Sequence, residues 1–94
     1  MTCPVRQLLR ALARSAANTG CAAALSHEGE TPWATATFTG ARHTVRAAGA
    51  PADLARWLAT LPEAELPMHG WYVASCAAEA AGGEAVIELL VLEE

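Results

Sequence analysis

Lysine is absent from this 94-residue sequence, and all six basic residues are arginine. Together with the many alanines, this bias is typical of a GC-rich genome, so we expect a bacterial source. Aromatic residues are few, with three Trp, one Tyr and one Phe, and each large side chain is therefore a clue to the core. No run of about 18 apolar residues occurs, which excludes a membrane-spanning helix, and no membrane partner is expected. The hydrophobic fraction of 53% excludes an intrinsically disordered chain.

Basic charge is missing from the second part of the chain. Residues 1–56 carry six arginines and three acidic residues, whereas residues 57–94 carry seven glutamates and no basic residue, for a net charge of −4. This division of charge favours antiparallel self-association or a charged partner. A helical stripe of Arg6, Arg10 and Arg14 raises nucleic-acid binding as an alternative. No nucleic-acid partner is expected, because an acidic chain lacks the basic footprint that binding phosphates requires.

The sequence has neither a disulfide framework nor a metal-binding motif. Its cysteines and histidines are Cys3, Cys21, Cys76, His27, His43 and His69. The cysteines are odd in number and form no CxxC pair, which fits a reducing compartment. The histidines are far from one another and from the cysteines in sequence, whereas zinc motifs group their ligands at short spacings. Arginines also interrupt the apolar segment that a signal peptide would need. We therefore expect a cytoplasmic protein with reduced thiols, no metal and no cofactor.

Two segments show the apolar spacing of amphipathic helices. The first follows Pro4 and ends near Gly20, which can take the left-handed conformation that follows many helices. Its apolar face consists of Val5, Leu8, Leu9, Leu12, Ala13 and Ala16. The second begins at Pro51 and ends at Pro62. Its apolar stripe consists of Leu54, Trp57, Leu58 and Leu61, and the large Trp57 side chain is predicted to anchor the core.

Three strands are predicted between the helices, the first of them weakly marked near residues 21–28. The other two form a hairpin in which Gly40-Ala41 is a type II′ turn. Because side chains alternate across a strand, this register sorts the residues into two faces. The predicted core face holds Ala34, Ala36, Phe38, His43, Val45 and Ala47. The opposite face holds Thr35, Thr37, Thr39, Arg42, Thr44 and Arg46.

A C-terminal hairpin is predicted with Gly82-Gly83 as its turn. On one face its cross-strand pairs are Ala74 with Val91, Cys76 with Leu89, and Ala78 with Ile87. The other face then carries Trp71, Val73, Ser75, Ala77, Val86, Glu88, Leu90 and Leu92. Both faces are largely apolar, which is typical of a strand that is covered on both sides or forms an interface.

The element order α-β-β-β-α-β-β predicts a single α+β domain over residues 1–94. We expect a two-layer sandwich in which two helices cover one face of an antiparallel sheet. The candidate interface on the open face consists of Trp71, Val73, Leu90 and Leu92. A contiguous apolar patch of this kind is uncommon on a monomer and marks an interaction site. The sequence therefore predicts a non-enzymatic interaction module that forms a homodimer through the open face of the sheet.

The alternative is a small-molecule-binding protein or an enzyme that uses a pocket between loop 62–70 and the sheet. The candidate ligand-binding residues are Trp33, Arg42, Arg46 and His69. Arginines among threonine hydroxyls suit a small anionic ligand. Cys76 is not expected to act as a nucleophile, because its pairing with Leu89 puts it on the buried face. No GxSxG, P-loop, Rossmann or HExxH motif is present, so no catalytic residue is predicted.

Overall fold

The computed structural model describes residues 4–94, which form two α-helices and four strands in the order α-β-β-α-β-β. The elements are α1 (Val5–Asn18), β1 (Ala24–Ala34), β2 (Thr39–Ala48), α2 (Pro51–Thr60), β3 (Trp71–Ala81) and β4 (Glu84–Glu93), with a short 3₁₀ turn at Leu61–Glu63. The strands make one antiparallel sheet in the order β1-β2-β4-β3, so β1 and β3 are its edges. The predicted α+β class is confirmed. Among the described residues, no helix is both long and apolar enough to cross a membrane.

Both helices form over the predicted segments and bury an apolar stripe against one face of the sheet, but Ala13, predicted on the apolar face of α1, is exposed and Ala11 is buried instead. In α1 the buried residues are Leu8, Ala11, Leu12 and Ala16, while the three arginines face solvent. Gly20 follows the helix with a φ of 80°, as predicted. In α2, Leu54 and Trp57 are fully buried, and the Trp57 indole Nε1 donates a hydrogen bond to Ser15 Oγ at 3.0 Å. Trp57 therefore packs in the core and also joins the two helices.

The predicted hairpin turn at Gly40-Ala41 is wrong. Only two strands, β1 and β2, lie between the helices in the described structure, where three were expected. The weakly marked segment near residues 21–28 is the first half of β1, and the chain turns at Thr35–Phe38 instead. The Thr35 N–H donates to the Phe38 carbonyl oxygen at 2.8 Å, and the Thr35 hydroxyl accepts from the Phe38 N–H at 3.0 Å. The turn therefore forms at Thr35–Phe38, stabilised by the Thr35 side chain, and not at Gly40-Ala41. As a result Ala34, Ala36 and Phe38 are exposed, whereas His43, Val45 and Ala47 are buried as predicted.

The C-terminal hairpin forms around Gly82-Gly83, and the Cys76–Leu89 and Ala78–Ile87 pairs are confirmed. The predicted Ala74–Val91 pair is wrong, because a bulge at Ala74 makes Val73 the partner of Val91. An extra residue in one strand reverses which side of the sheet the residues beyond it face. Trp71 and Val73 therefore pack against the helix-side core and do not lie on the open face. Cys21 and Cys76 are free thiols, and Cys3 lies outside the described residues.

Candidate functional site

The open face of the sheet carries an apolar row at the end where β3 begins. Its register joins Trp33 of β1, Gly40 of β2, Leu92 of β4 and Tyr72 of β3. Leu92 is only 4% exposed, yet it is absent from the buried cluster under the helices. Its Cδ2 atom lies 2.9 Å from the position that a Cβ would take at residue 40. Leu92 is therefore buried by neighbouring side chains on the open face, in the space that Gly40 leaves.

Two more apolar residues of β4, Leu90 and Val86, lie on the open face toward the other end of the sheet, with Glu88 between them. Leu90 is half-buried opposite Arg42 and Ser75, and Val86 lies opposite Arg46 and Glu79. Tyr72 and Val86 are 36% and 37% exposed. We call this surface the open-face patch; it consists of Trp33, Tyr72, Val86, Leu90 and Leu92. No helix of the described chain covers it, because both helices pack on the other face.

Charged side chains of both signs surround the open-face patch. Arg46 bridges Glu28 at 3.1 Å and Glu84 at 3.5 Å, so its guanidinium is already paired. Within residues 4–94, Arg42 and Glu88 make no salt bridge. They are diagonal neighbours on β2 and β4, because Arg42 pairs with Leu90 and Glu88 is two residues before Leu90 on the same face of the sheet. Among the described residues, the face therefore presents the cation of Arg42 close to the anion of Glu88, neither of them in a salt bridge, and Glu79 opposite Val86 is a further anion without one.

The predicted ligand-binding residues are not brought together. Trp33 and Arg42 share the open face, but Arg46 is held by two glutamates. His69 lies near α1, where its backbone N–H donates to Gln7 Oε1 at 2.7 Å. The depression around Arg42 is also lined by three acidic residues, Glu28, Glu30 and Glu88. These carboxylates oppose the binding of a small anion at Arg42.

A second depression lies between the 61–67 segment and β3, where the sequence predicted a pocket. It is open to solvent and lined mainly by apolar residues and prolines, with Cys76 among them. Burial raises the pKa of the Cys76 thiol above its ordinary value of 9.0. Because the thiolate is the nucleophile, a raised pKa disfavours nucleophilic catalysis at this position.

A cluster that sequence reasoning missed joins β1 and β2, at the opposite edge of the sheet from β3. His27 Nε2 and His43 Nδ1 are 2.9 Å apart, a hydrogen-bond distance. The possible ligand atoms of His27, Glu30 and His43 all lie within 4.8 Å of one another. His43 is 1% exposed, His27 is half-buried and Glu30 is exposed, so the cluster runs from the core to solvent.

A bulge in β1 explains why these three side chains share one face. His27 pairs with Val45, but Glu30 pairs with His43, so one extra residue, Glu28, lies in β1 between the two pairs. Without it, His27 and Glu30 would point to opposite sides of the sheet. Burial lowers the pKa of His43 below its ordinary value of 6.5, while the Glu30 carboxylate acts in the opposite direction and His27 adds to the lowering. A neutral imidazole is the form that can donate a lone pair to a metal.

Comparisons with known proteins concern the fold alone. No protein-family model matches the chain, and a search of curated proteins gives no significant match. A solved structure with a similar arrangement is the type 4 fimbrial biogenesis protein PilO from Pseudomonas aeruginosa. The similarity covers 95% of this chain and 66% of that chain, with 14% sequence identity and a TM-score of 0.43. This chain thus spans somewhat less than two thirds of the PilO chain.

Proposed function

We propose that this protein is a non-enzymatic interaction module that self-associates through the open-face patch. The observation that carries the proposal is the apolar surface itself. Tyr72, which pairs with Leu92, and Val86 expose more than a third of their surface on the face that the helices leave uncovered. Apolar side chains grouped on one uncovered face mark protein–protein contact sites.

The charges around the patch support a second copy of the chain as the partner. In a two-fold symmetric dimer the same surface is used twice, so it must be complementary to itself. Arg42 and Glu88 meet this requirement, because they are a cation and an anion on neighbouring strands of the face, and neither makes a salt bridge within residues 4–94. Arg42 of one copy then pairs with Glu88 of the other, which also sets the register of the two sheets.

Both edges of the sheet are unsuited to association by strand pairing. β1 contains Pro32 and the bulge at Glu28, and β3 contains the bulge at Ala74. Prolines and bulges on edge strands interrupt the row of hydrogen-bonding groups that a second sheet would need. These features favour face-to-face packing over a continuous intermolecular sheet.

The free thiols Cys21 and Cys76 fit a reducing compartment, so the proposal includes a cytoplasmic location.

Leu90→Glu is expected to convert the dimer to a monomer while the helix content stays the same. The substitution puts a carboxylate in the middle of the apolar contact, where it must lose its hydration without a partner. Size-exclusion chromatography with light scattering measures the mass, and circular dichroism measures the helix content.

The matched control is Leu58→Glu. Leu58 is also a half-buried leucine, but it packs against the core from α2 in the opposite layer, so circular dichroism must first show that this variant is folded. This variant is expected to remain a dimer. The proposal fails if the wild type is a monomer at high micromolar concentration, or if Leu90→Glu associates as strongly as the wild type.

A further inference from the structure

The cluster of His27, Glu30 and His43 is not needed for the proposed interface: His27 pairs with the buried Val45 and Glu30 with the buried His43, on the helix side of the sheet, although Glu30 also lines the depression around Arg42. We infer that it is a binding site for a divalent transition-metal ion, with Zn²⁺ as the representative ion. Two imidazole nitrogens and one carboxylate are a donor set that such ions prefer, whereas Mg²⁺ and Ca²⁺ prefer oxygen ligands alone. The three side chains come from two adjacent strands, so the ion joins β1 to β2.

The two imidazole nitrogens of the cluster are spaced almost as they are around a bound zinc ion. Zinc–nitrogen bonds of about 2.0–2.1 Å in a tetrahedral site put two ligand nitrogens about 3.3 Å apart. His27 Nε2 and His43 Nδ1 are 2.9 Å apart, so opening them by a few tenths of an ångström admits the ion. Glu30 is exposed, and its flexible side chain can complete the third contact from the solvent side.

The burial of His43 decides which of its nitrogens binds. Its Nε2 atom is buried and has no hydrogen-bond partner among the described residues. Nδ1 faces His27 and the exposed Glu30 carboxylate, so it is the nitrogen that an ion arriving from solvent can reach. Three protein ligands leave one position of a tetrahedral ion for water or a second molecule.

Isothermal titration calorimetry with ZnCl₂ tests this assignment. The wild type is expected to bind one Zn²⁺ per chain and to show no comparable binding of MgCl₂. His27→Ala and Glu30→Gln are expected to lose at least about tenfold in Zn²⁺ affinity. Zn²⁺ is also expected to raise the thermal unfolding temperature of the wild type, because it binds only the folded state with these three ligands together.

The control variant is His69→Ala, which removes an exposed histidine away from the cluster and is expected to bind Zn²⁺ as the wild type does. Glu30→Gln changes an exposed side chain, so its fold is preserved and circular dichroism verifies this. Substituting Co²⁺ gives an absorption spectrum that distinguishes nitrogen and oxygen ligands from thiolates. The inference is overturned if His27→Ala and Glu30→Gln bind Zn²⁺ as tightly as the wild type, if the wild type binds none, or if the Co²⁺ spectrum shows a thiolate charge-transfer band.

Discussion

Trp57→Ala is expected to lower the free energy of unfolding by about 3–5 kcal/mol, as large-to-small changes in a core do. Trp57 is completely buried and is the largest of the fully buried side chains. Many of the other core residues are small, so neighbouring side chains cannot fill the space that the indole leaves. The substitution also removes the donor that bonds Ser15 Oγ in α1. Small domains have only about 5–15 kcal/mol of stability, so the loss leaves a substantial unfolded population.

Urea unfolding at equilibrium, followed by circular dichroism, measures this effect. Trp33→Ala is the matched control, because Trp33 is a half-buried tryptophan on the open face and lies outside the core. Its cost is expected to be clearly smaller than that of Trp57→Ala. If Trp57→Ala were as stable as the wild type while Trp33→Ala unfolded, the assignment of core and open face would be reversed.

Gly40→Ala is expected to lower the free energy of unfolding by about 1–3 kcal/mol, the usual range for overpacking. A Cβ at this position would collide with the carbonyl oxygen of Val91 and lie 2.8 Å from Leu92 Cα. Both are backbone atoms of β4, so β2 and β4 must separate at this end to relieve the clash. Leu92 would also lose the space that its Cδ2 now occupies.

Gly29→Ala is the matched control for Gly40→Ala. Gly29 also lies in a strand, its φ is not positive, and a Cβ there would meet no atom within 4 Å. Its stability is expected to match the wild type or exceed it slightly, because alanine reduces the freedom of the unfolded chain. The interpretation of Gly40 is contradicted if urea unfolding gives both variants the same stability as the wild type.

Sequence patterns predicted the helices and the C-terminal hairpin because local signals agree there. In α1 the spacing of Leu8, Leu12 and Ala16 matches one helical face, and Gly20 ends the segment. In the hairpin, a Gly-Gly turn lies between two apolar segments and sets the register near it. Turn chemistry and side-chain periodicity give the same answer in both cases.

The first hairpin was mispredicted because Gly40 satisfies two different requirements. A glycine suits a tight turn, and it also suits a strand position where another backbone comes close. The alternation of threonine with alanine or phenylalanine at 34–39 fits a strand as well as a loop. The hydrogen bonds of Thr35 and the close approach of β4 decide between them, and both depend on the folded structure.

Most of the candidate site could not be predicted from the sequence because β1 and β3 each contain a bulge. Because of the bulge at Ala74, Tyr72 lies on the open face and Val73 on the helix side. Because of the bulge at Glu28, Glu30 lies on the same face of the sheet as His27. Strict alternation cannot reveal either placement, because each needs the pairing with a neighbouring strand. Leu90 and Leu92 were predicted on the correct face, since β4 has no bulge.

The central claim, that the open face contacts a second copy of itself, is tested most directly by mixing two charge-reversed variants. Arg42→Glu makes positions 42 and 88 both acidic and Glu88→Arg makes both basic, so in each variant alone these positions repel those of its own copy. In a mixture, each face meets one of opposite charge. Sedimentation velocity is expected to show that each variant alone is a monomer and that the equimolar mixture forms a dimer. The account is contradicted if the mixture stays monomeric, or if both variants dimerise alone as the wild type does.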